Sequence, residues 1–591
     1  MKKKYLTIKK VIVFILWLSN FSSTLTNPSA AEFLQQAQTY KNAGKNKEAC
    51  IAYQQALSCD PRCFEALFQL GNEFFYRDHG DEAILHYKKA LEIKPEIPQV
   101  HFNLGVVFEH QNALDEAIEC FKNATTFDPT YTKAYSHLCN LLKKQKKDSE
   151  RREILSKLVH LEPQNSDHLR DLAELCTHQE HYQEACDYLK KAHALQPENS
   201  TIAFDVSLAY TRLGLVDDAL RIYKKILDKN PGYLQAIYNS GYVLKMAGRI
   251  DEALEKYQQV LAIDPTYDAA QFALGHALLN KGDFDAGWKQ HERYLKQSGK
   301  NSDKLRQFIS ENTVAGKIIF LRPEGGLGDT LQFIRYAQLL KYMGAYVVVS
   351  AQKPLLPLLS RCDYIDKLIE NKLEIPKYDD HGTLMSMPAI FGSNEQTIPR
   401  NIPYLAPDPN LVELWGNQLK TDTNFKIGIC WQADVFNDSS RLPVARRGIP
   451  LHHFYPLAQL KGISLYSLQK KEGLEQLDSL PENVTLHLFD ENFDEEHGSF
   501  MDTAAVMQHL DLIITVDTAT AHLAGALGRP VWVLLPYSTD WRWIAGRKDS
   551  PWYPTMHVFK QPQPFDWESV MSDVCWHLAT LLHEKTIGNQ K

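Results

Sequence analysis

The sequence predicts an α-helical solenoid in its first half and an α/β region with two parallel sheets in its second half. Proline recurs every 34 residues from Pro61 to Pro265, which is the period of a repeat built from two helices. Beyond about residue 313 this period ends, and short apolar runs alternate with helical stretches. Such alternation is typical of parallel sheets whose strands are joined by helical crossovers.

The 34-residue period also governs the positions that pack one helix against another. A small residue stands twelve positions before the proline in six repeats, and an aromatic residue stands eight before it in five. Helices approach closely only where side chains are small, and proline cannot continue a helix. The spacing resembles tetratricopeptide repeats, and it predicts seven of them plus a degenerate eighth over residues 32–301. The fourth repeat departs from the pattern at Arg151 and Leu155.

A column of polar residues occupies the sixth position of the first helix in successive repeats. It includes Asn103, Asp171, Asp205 and Asn239, which we expect to face the concave surface of the solenoid. Asparagine offers both a donor and an acceptor, so this column can hold an extended peptide. The alternative is that asparagine is simply the usual residue there and implies no ligand. On the first interpretation, the array binds a protein or peptide partner.

Composition and charge narrow the classes of function. The net charge of the 591-residue chain is −7, which argues against a generally basic nucleic-acid-binding protein. The ten cysteines lack zinc-site spacing, so we expect reduced thiols and no metal site. Residues 1–31 have the layout of a signal peptide or N-terminal anchor, and no other membrane segment is expected. Localisation stays open, because export conflicts with reduced thiols.

Seven apolar runs in the second half are predicted as strands. They are Lys317–Leu321, Tyr346–Ala351, Lys426–Trp431, Ile463–Leu468, Val484–Leu488, Leu512–Val516 and Val531–Leu535. A break rich in proline and asparagine at 398–425 divides this module, residues 302–591, into domains over about 313–405 and 420–575. Open parallel sheets bind ligands at the carboxyl ends of their strands, so the loops after these runs are the candidate site.

Three of these loops carry distinctive chemistry. Gly325–Asp329 is glycine-rich but lacks the lysine of a P-loop. The long polar loop from Trp431 to Arg447, with Lys470 after the next strand, is either a solvated surface or a clamp for an anion. At 516–522 a strand gives way to a helix, whose N-terminus attracts phosphate. Each loop alone also fits a plain structural role, as a tight turn, a charged surface or a helix cap.

Two motifs together resemble the heptosyltransferase-like glycosyltransferases. They are Gly-Gly-Leu-Gly-Asp at 325–329 and Asp-Thr-x-x-x-His-Leu-Ala-Gly-Ala-Leu-Gly-Arg-Pro-Val at 517–531. The resemblance implies two Rossmann-like domains, the GT-B fold. The fused repeats are also similar to those of O-linked N-acetylglucosamine transferases, which modify protein serine and threonine. The chain as a whole resembles bacterial proteins that join such repeats to a heptosyltransferase-like domain.

The resemblance also implies roles for individual residues. Asp329 corresponds to the family's proposed catalytic base, and Arg447 to a cation that faces the diphosphate. The residues that contact the sugar nucleotide correspond to Asp517, Thr518, Ala519 and His522. We add Gly326, Gly328 and Lys470 to the donor site from their loop positions. Family members often have glycine where Ala519 stands, and the extra methyl crowds the approach of a phosphate.

The leading hypothesis is an inverting glycosyltransferase that transfers a sugar from a nucleotide sugar to an acceptor, a protein held by the repeats. We expect it to need no metal and no cofactor, since the nucleotide sugar is a substrate. The alternative is a non-catalytic scaffold whose glycosyltransferase fold is silent. A lipopolysaccharide-sugar transferase fits the second half but leaves the repeats unexplained. The donor, the acceptor, the fate of the N-terminal segment and the oligomeric state stay open.

Overall fold

The computed structural model describes residues 28–297, 303–371, 377–434 and 445–588. The predicted signal peptide or anchor therefore lies almost wholly outside the described residues, and the first helix begins at Ala30. The chain divides into two compact units, one up to Pro197 and one from Glu198 onward. Within the described ranges, no helix combines the length and the apolar character that crossing a membrane requires.

Consecutive pairs of helices fill residues 30–297, which are described without a gap. In the first unit they are α1 (Ala30–Asn42), α2 (Asn46–Cys59), α3 (Phe64–Tyr76), α4 (Gly80–Ile93), α5 (Pro98–His110), α6 (Leu114–Phe127), α7 (Thr132–Lys144), α8 (Asp148–Leu161), α9 (Ser166–His178) and α10 (Tyr182–Leu195). In the second unit they are α11 (Ser200–Arg212), α12 (Val216–Lys229), α13 (Leu234–Met246), α14 (Ile250–Ile263), α15 (Asp268–Lys281) and α16 (Phe284–Gln297). The predicted helical repeats are confirmed.

In the second, third and seventh repeats, an aromatic ring of one helix packs on a glycine of the other helix. An added Cβ at Gly71 would come within 2.6 Å of the Tyr87 ring, and one at Gly105 within 2.8 Å of the Phe121 ring. Only glycine lets the two helices approach this closely. Pro61 follows the last residue of α2 by two positions, and the other six prolines of the period follow their helices at the same distance. Proline therefore ends the second helix of every regular repeat.

The degenerate fourth repeat buries a charge in place of the usual small residue. Arg151 on α8 is 2% exposed, and its guanidinium lies 3.4 Å from Glu174 and 3.8 Å from Asp171. A buried cation without a partner is strongly destabilising, so the two carboxylates of α9 compensate for the substitution. Leu155 is fully buried at the position of the missing aromatic ring.

The eighth repeat contributes side chains to the core of the α/β region. Phe284 and Trp288 of α16 belong to the same buried apolar cluster as Leu321 and Val349. The indole Nε1 of Trp288 donates a hydrogen bond of 2.6 Å to the carbonyl of Ser393. The hairpin α15–α16 is therefore part of the folded α/β region rather than a separate end cap.

Two parallel sheets follow, as predicted. Their strands are β1 (Ile318–Arg322), β2 (Tyr346–Ala351), β3 (Lys367–Glu370), β4 (Asp380–Thr383), β5 (Phe425–Cys430), β6 (Ile463–Ser467), β7 (Leu512–Val516), β8 (Val531–Leu535) and β9 (Met556–Lys560). The first sheet has the order β3-β2-β1-β4 and the second the order β6-β5-β7-β8-β9. Every strand pair is parallel.

Helices cover the connections between these strands. They are α17 (Asp303–Ser310), α18 (Leu327–Phe333), α19 (Arg335–Tyr342), α20 (Leu356–Leu359), α21 (Met387–Ile390), α22 (Pro409–Leu419), α23 (Tyr455–Ala458), α24 (Met501–Met507), α25 (Ala519–Ala526) and α26 (Trp567–Gly588). The architecture is that of two parallel α/β domains in succession.

One predicted strand is wrong. The run Val484–Leu488 forms only a single bridge, between His487 and Tyr466 of β6. The segment lies beyond β6, the edge strand of the second sheet, and Leu488 is 55% exposed. Strand pairing is favoured when it buries apolar side chains, and this run buries too few of them at the sheet edge to form a further strand.

Candidate functional site

A cavity of about 660 Å³ opens at the carboxyl ends of strands from both sheets. In the second sheet the strand order reverses between β5 and β7, which is where open parallel sheets form ligand sites. All nine residues predicted as base or donor site line this cavity. They are Gly326, Gly328, Asp329, Arg447, Lys470, Asp517, Thr518, Ala519 and His522. Their individual roles remain predictions.

The glycine-rich loop after β1 wraps around the carboxylate of Asp329. The backbone N–H of Gly326 donates a 2.6 Å hydrogen bond to Oδ2 of Asp329, which caps α18. Gly325 has a φ of +77°, and an added Cβ there would lie 2.2 Å from the same oxygen. A side chain at this position would displace the carboxylate. The loop therefore fixes the direction in which Asp329 points.

The other oxygen of Asp329 accepts a hydrogen bond from Arg542, a residue that no sequence motif identifies. Arg542 lies in the loop after β8, and its guanidinium also donates to Asp540 at 2.7 Å and to Gln332 at 2.9 Å. Burial lowers the pKa of Arg542, but the carboxylates of Asp540 and Asp329 outweigh that effect and raise it. Arg542 is thus a permanent cation on the cavity wall.

His522 on α25 is a buried, neutral histidine. It is 4% exposed, its Nδ1 lies 3.0 Å from the hydroxyl of Tyr553, and its ring stacks near Trp543 with centroids 5.7 Å apart. Burial, with the nearby cations Arg542 and Arg335, lowers its pKa to about 3. At neutral pH its ring can donate one hydrogen bond and accept another, but it carries no charge.

Gly328 is the point at which α18 of the first domain meets α25 of the second. An added Cβ at Gly328 would lie 2.8 Å from Cδ2 of His522 and 3.6 Å from the Cα of Ala519. The glycine is therefore required for the two helices to pack. Gly326, by contrast, has room for a Cβ, which would lie 3.7 Å from Asp329.

The opening of α25 forms another part of the cavity wall. Thr518 is the N-cap residue in an extended conformation, and its side chain makes no capping hydrogen bond. Its hydroxyl instead lies 3.3 Å from that of Thr515, and Asp517 before it is 8% exposed. Because Thr518 does not cap the helix, the N–H groups of its first turn suit an anionic ligand.

Three further cations line the cavity: Arg447, Lys470 and Lys471. Lys470, after β6, donates a hydrogen bond to the carbonyl of Phe493 and lies 3.6 Å from Glu495, so part of its charge is balanced by the protein. Arg447 is half-buried at the end of the loop after β5. Within the described residues, no three His, Cys, Asp or Glu side chains are arranged to hold a metal ion.

The predicted peptide column lies on first helices of the repeats, and its members Asn103 and Asp171 contact neighbouring repeats. In the first unit, Asn103 donates a 2.7 Å hydrogen bond to Asn72 of the preceding repeat, and Asp171 lies beside the buried Arg151. In the second unit, the half-buried pair on α11 and α13 is Asp205 and Asn239. The role of the column in peptide binding remains a prediction, and Asp171 also supports the fold.

Comparisons with known proteins match both halves of the chain. Tetratricopeptide-repeat models match residues 33–63, 71–112, 98–131, 179–233 and 241–282. The model of glycosyltransferase family 9 (heptosyltransferase) matches residues 498–555, which include the opening of α25 and Arg542. The helical region thus consists of tetratricopeptide repeats, and residues 498–555 of the second α/β domain are similar to glycosyltransferase family 9. The two parallel α/β domains form the GT-B fold that the resemblance implied.

The individual relatives of the chain are distant. Protein FlbA of Caulobacter vibrioides is 25% identical over 285 residues, which are 45% of this chain and 47% of FlbA. The chain thus matches about half the length of this curated relative. Among solved structures, YrrB, described as a TPR protein with an unusual peptide-binding site, is 22% identical over 32% of this chain and 96% of its own, with a TM-score of 0.29. MamA is 20% identical over 27% of this chain and 95% of its own, with a TM-score of 0.25.

Proposed function

We propose that the protein is an inverting glycosyltransferase that uses a nucleotide sugar and needs no metal ion. The observation that carries this proposal is the position of Asp329. Its carboxylate lies on the wall of a cavity that is also lined by four cations and by the opening of α25, in a GT-B fold with a segment similar to glycosyltransferase family 9.

Asp329 is the base of the proposed reaction. An ionised carboxylate has about four sites that accept hydrogen bonds, and the bonds from Gly326 and Arg542 occupy two of them. Asp329 takes the proton of an acceptor hydroxyl as the acceptor oxygen attacks the anomeric carbon of the donor. The bond from that carbon to the diphosphate oxygen breaks, and its electron pair leaves with the diphosphate. Attack opposite the leaving group inverts the anomeric configuration.

Charges fixed in the protein replace a metal ion at the leaving group. The N-terminus of α25, Arg447 and Lys470 converge on one cavity, and groups already oriented towards developing charge stabilise it without reorganising. Within this proposal, the cations and the helix N-terminus neutralise the departing diphosphate.

The repeats recruit the acceptor in this proposal. Solenoids of helical repeats present long concave surfaces to protein partners, and repeat models match five segments of the chain. Binding an acceptor protein to the polypeptide that carries the cavity raises the effective concentration of the acceptor hydroxyl.

Calorimetric titration of the full chain with uridine, guanosine and adenosine diphosphates tests the proposal. We expect at least one of them to bind, and the corresponding nucleotide sugar to release that diphosphate in the presence of acceptor. The anomeric configuration of the product, read by NMR, should be opposite to that of the donor. No binding and no turnover would favour the silent scaffold, and retained configuration would contradict the inverting mechanism.

A further inference from the structure

Arg542 is held firmly on the wall of the cavity. Its guanidinium donates hydrogen bonds to Asp329, Asp540 and Gln332, and it stacks 4.7 Å from the ring centroid of Trp541. Its side chain is only 10% exposed. A cation fixed in this way loses little conformational entropy when it binds a ligand.

The last repeat holds the loop that carries Arg542. Asn280 at the end of α15 donates a 3.3 Å hydrogen bond to the carbonyl of Asp540, and its own carbonyl accepts a 2.8 Å bond from the N–H of Ala545. The ring of His276, on the same helix, lies 6.0 Å from that of Trp541. Both ends of the short segment 540–545 are therefore bound to the repeat hairpin.

The donors of Arg542 are only partly used. A guanidinium has five N–H groups, and three of them serve Asp329, Asp540 and Gln332. The remaining two, one on each terminal nitrogen, have no acceptor among the described residues. Because Arg542 lines the cavity, these two N–H groups are the ones that a ligand can engage.

The loop that carries Arg542 follows β8, and this places Arg542 near the helix opening where we expect the phosphates of a donor. β8 pairs with β7, so the loop after β8 emerges beside the Asp517–Thr518 corner that opens α25. Guanidinium groups bind phosphate oxygens through paired N–H donors. The same side chain thus touches the carboxylate of Asp329 and lies at the edge where an anionic leaving group is expected.

We propose that Arg542 binds the diphosphate of the donor and, through its bond to Asp329, aims the base at the acceptor hydroxyl. This inference rests on the proposed glycosyltransferase function and extends it to a residue that no motif identified. Loss of Arg542 removes both a phosphate contact and the orientation of the base. Both the affinity for nucleoside diphosphate and the turnover of the nucleotide sugar should therefore fall, and a substitution that restores one of them need not restore the other.

The test compares Arg542→Lys and Arg542→Ala with Arg547→Ala in the full chain. Arg547 is a matched control, because it lies five residues away and pairs with Glu395 and Asp549 outside the cavity lining. Titration with uridine, guanosine and adenosine diphosphates should show about 10- to 100-fold weaker binding for Arg542→Ala, the range expected for one charged hydrogen-bonding partner. Arg542→Lys should recover affinity but not turnover, since lysine lacks the planar fork.

Chemical rescue separates a role in the reaction from a role in folding. Guanidinium ion added to Arg542→Ala should restore part of the turnover, whereas a purely structural defect should not respond. If both Arg542 variants bind and turn over as Arg547→Ala does, the inference is overturned and the proposed function stands. Weakened turnover with a lowered melting temperature and no rescue would also overturn it. If the wild-type chain binds none of the diphosphates, the proposed function and the inference fail together.

Discussion

The carboxylate of Asp329 and the guanidinium of Arg542 form an ion pair although 213 residues separate them. One belongs to the first turn of α18 in the first α/β domain, and the other to the loop after β8 in the second. The pair therefore joins the two domains at the cavity that both of them line. It also links the expected base to the loop that Asn280 of the last repeat holds.

Gly328→Ala should loosen the contact between the two domains. The new Cβ would lie 2.8 Å from the His522 ring, and overpacking of this kind costs about 1–3 kcal/mol. We expect a lower melting temperature for Gly328→Ala. Gly326→Ala is the matched control, because its Cβ meets only an ordinary contact at 3.7 Å. Equal melting temperatures for the two variants would contradict this account of Gly328.

Thr518→Trp should abolish the binding of nucleoside diphosphates. Thr518 is at the opening of α25 on the cavity wall, and an indole there would keep phosphate oxygens from the N–H groups of the first turn. Calorimetric titration measures the effect, and Thr580→Trp on the exposed face of α26 is the control for the added bulk. A folded Thr518→Trp variant that binds with wild-type affinity would place the donor elsewhere.

Stability should fall as the pH drops below about 6.5. Burial lowers the pKa values of His276 and His522 to about 3 in the folded chain, whereas an unfolded histidine binds its proton near pH 6.5. Between these pH values only the unfolded state binds the proton, so each histidine lowers the free energy of unfolding by about 1.4 kcal/mol for every pH unit of acidification. The contribution of each buried neutral histidine to stability is fully present above pH 6.5 and is lost as the pH falls towards 3.

Denaturant unfolding followed by tryptophan fluorescence at pH 7.5, 6.0 and 5.0 measures this dependence. His276→Gln removes one buried titrating group and should flatten the curve, while replacement of the exposed His583 by glutamine is the control. If His276→Gln and the wild-type chain lose stability equally on acidification, the buried neutral state of His276 is contradicted.

The peptide column is best tested without Asp171. Combining Asn103→Ala, Asp205→Ala and Asn239→Ala should weaken transfer to a protein acceptor by roughly one to three orders of magnitude, at ~0.5–1.5 kcal/mol for each hydrogen bond. Donor hydrolysis and transfer to a small acceptor should be spared. Equal loss on both acceptors would mean that the array supports the catalytic region structurally, and no loss would remove the column from acceptor binding.

Asp171→Ala belongs to a separate experiment, because it leaves the buried Arg151 with Glu174 as its remaining close carboxylate. We expect a lower melting temperature for this variant. Circular dichroism of both column variants shows whether the helical array remains intact.

The repeats were predictable because their information is local. A proline, a small residue and an aromatic ring at fixed spacing specify a helix pair and its closest contact, as Gly71 and Tyr87 illustrate. The buried strands of the α/β region were predictable for a similar reason, since β2, β7 and β8 are continuous apolar runs with the bounds that the sequence suggests.

Other elements depend on contacts that the sequence does not display. β4 reads Asp-His-Gly-Thr, and it is a strand because it pairs with β1 along its whole length. Val484–Leu488 is the opposite case: its apolar pattern is typical of a strand, but the segment lies beyond an edge strand and makes only one bridge. Local pattern misleads where the position in the sheet decides the outcome.

The candidate site divides in the same way. Asp329 and Asp517–His522 belong to contiguous motifs and were found. Arg542 lies in a Trp-Arg-Trp segment that matches no motif, and its bond to Asp329 is visible only in three dimensions. One signal was available, because the segment follows β8 at the sheet edge where ligands bind.

The most direct test of the central claim is the rate of nucleoside diphosphate release from a nucleotide sugar, with acceptor present, by the wild-type chain and by Asp329→Asn. Asparagine keeps the shape of the side chain, and its one carbonyl oxygen can still accept a hydrogen bond from Gly326, but its NH2 group cannot accept the bond from Arg542. The melting temperature and a donor titration are therefore measured for the variant alongside the rate. Loss of the general base should lower the rate at least ~100-fold. A folded Asp329→Asn variant that binds the donor and releases the diphosphate at nearly the wild-type rate would contradict the assignment of Asp329 as the base.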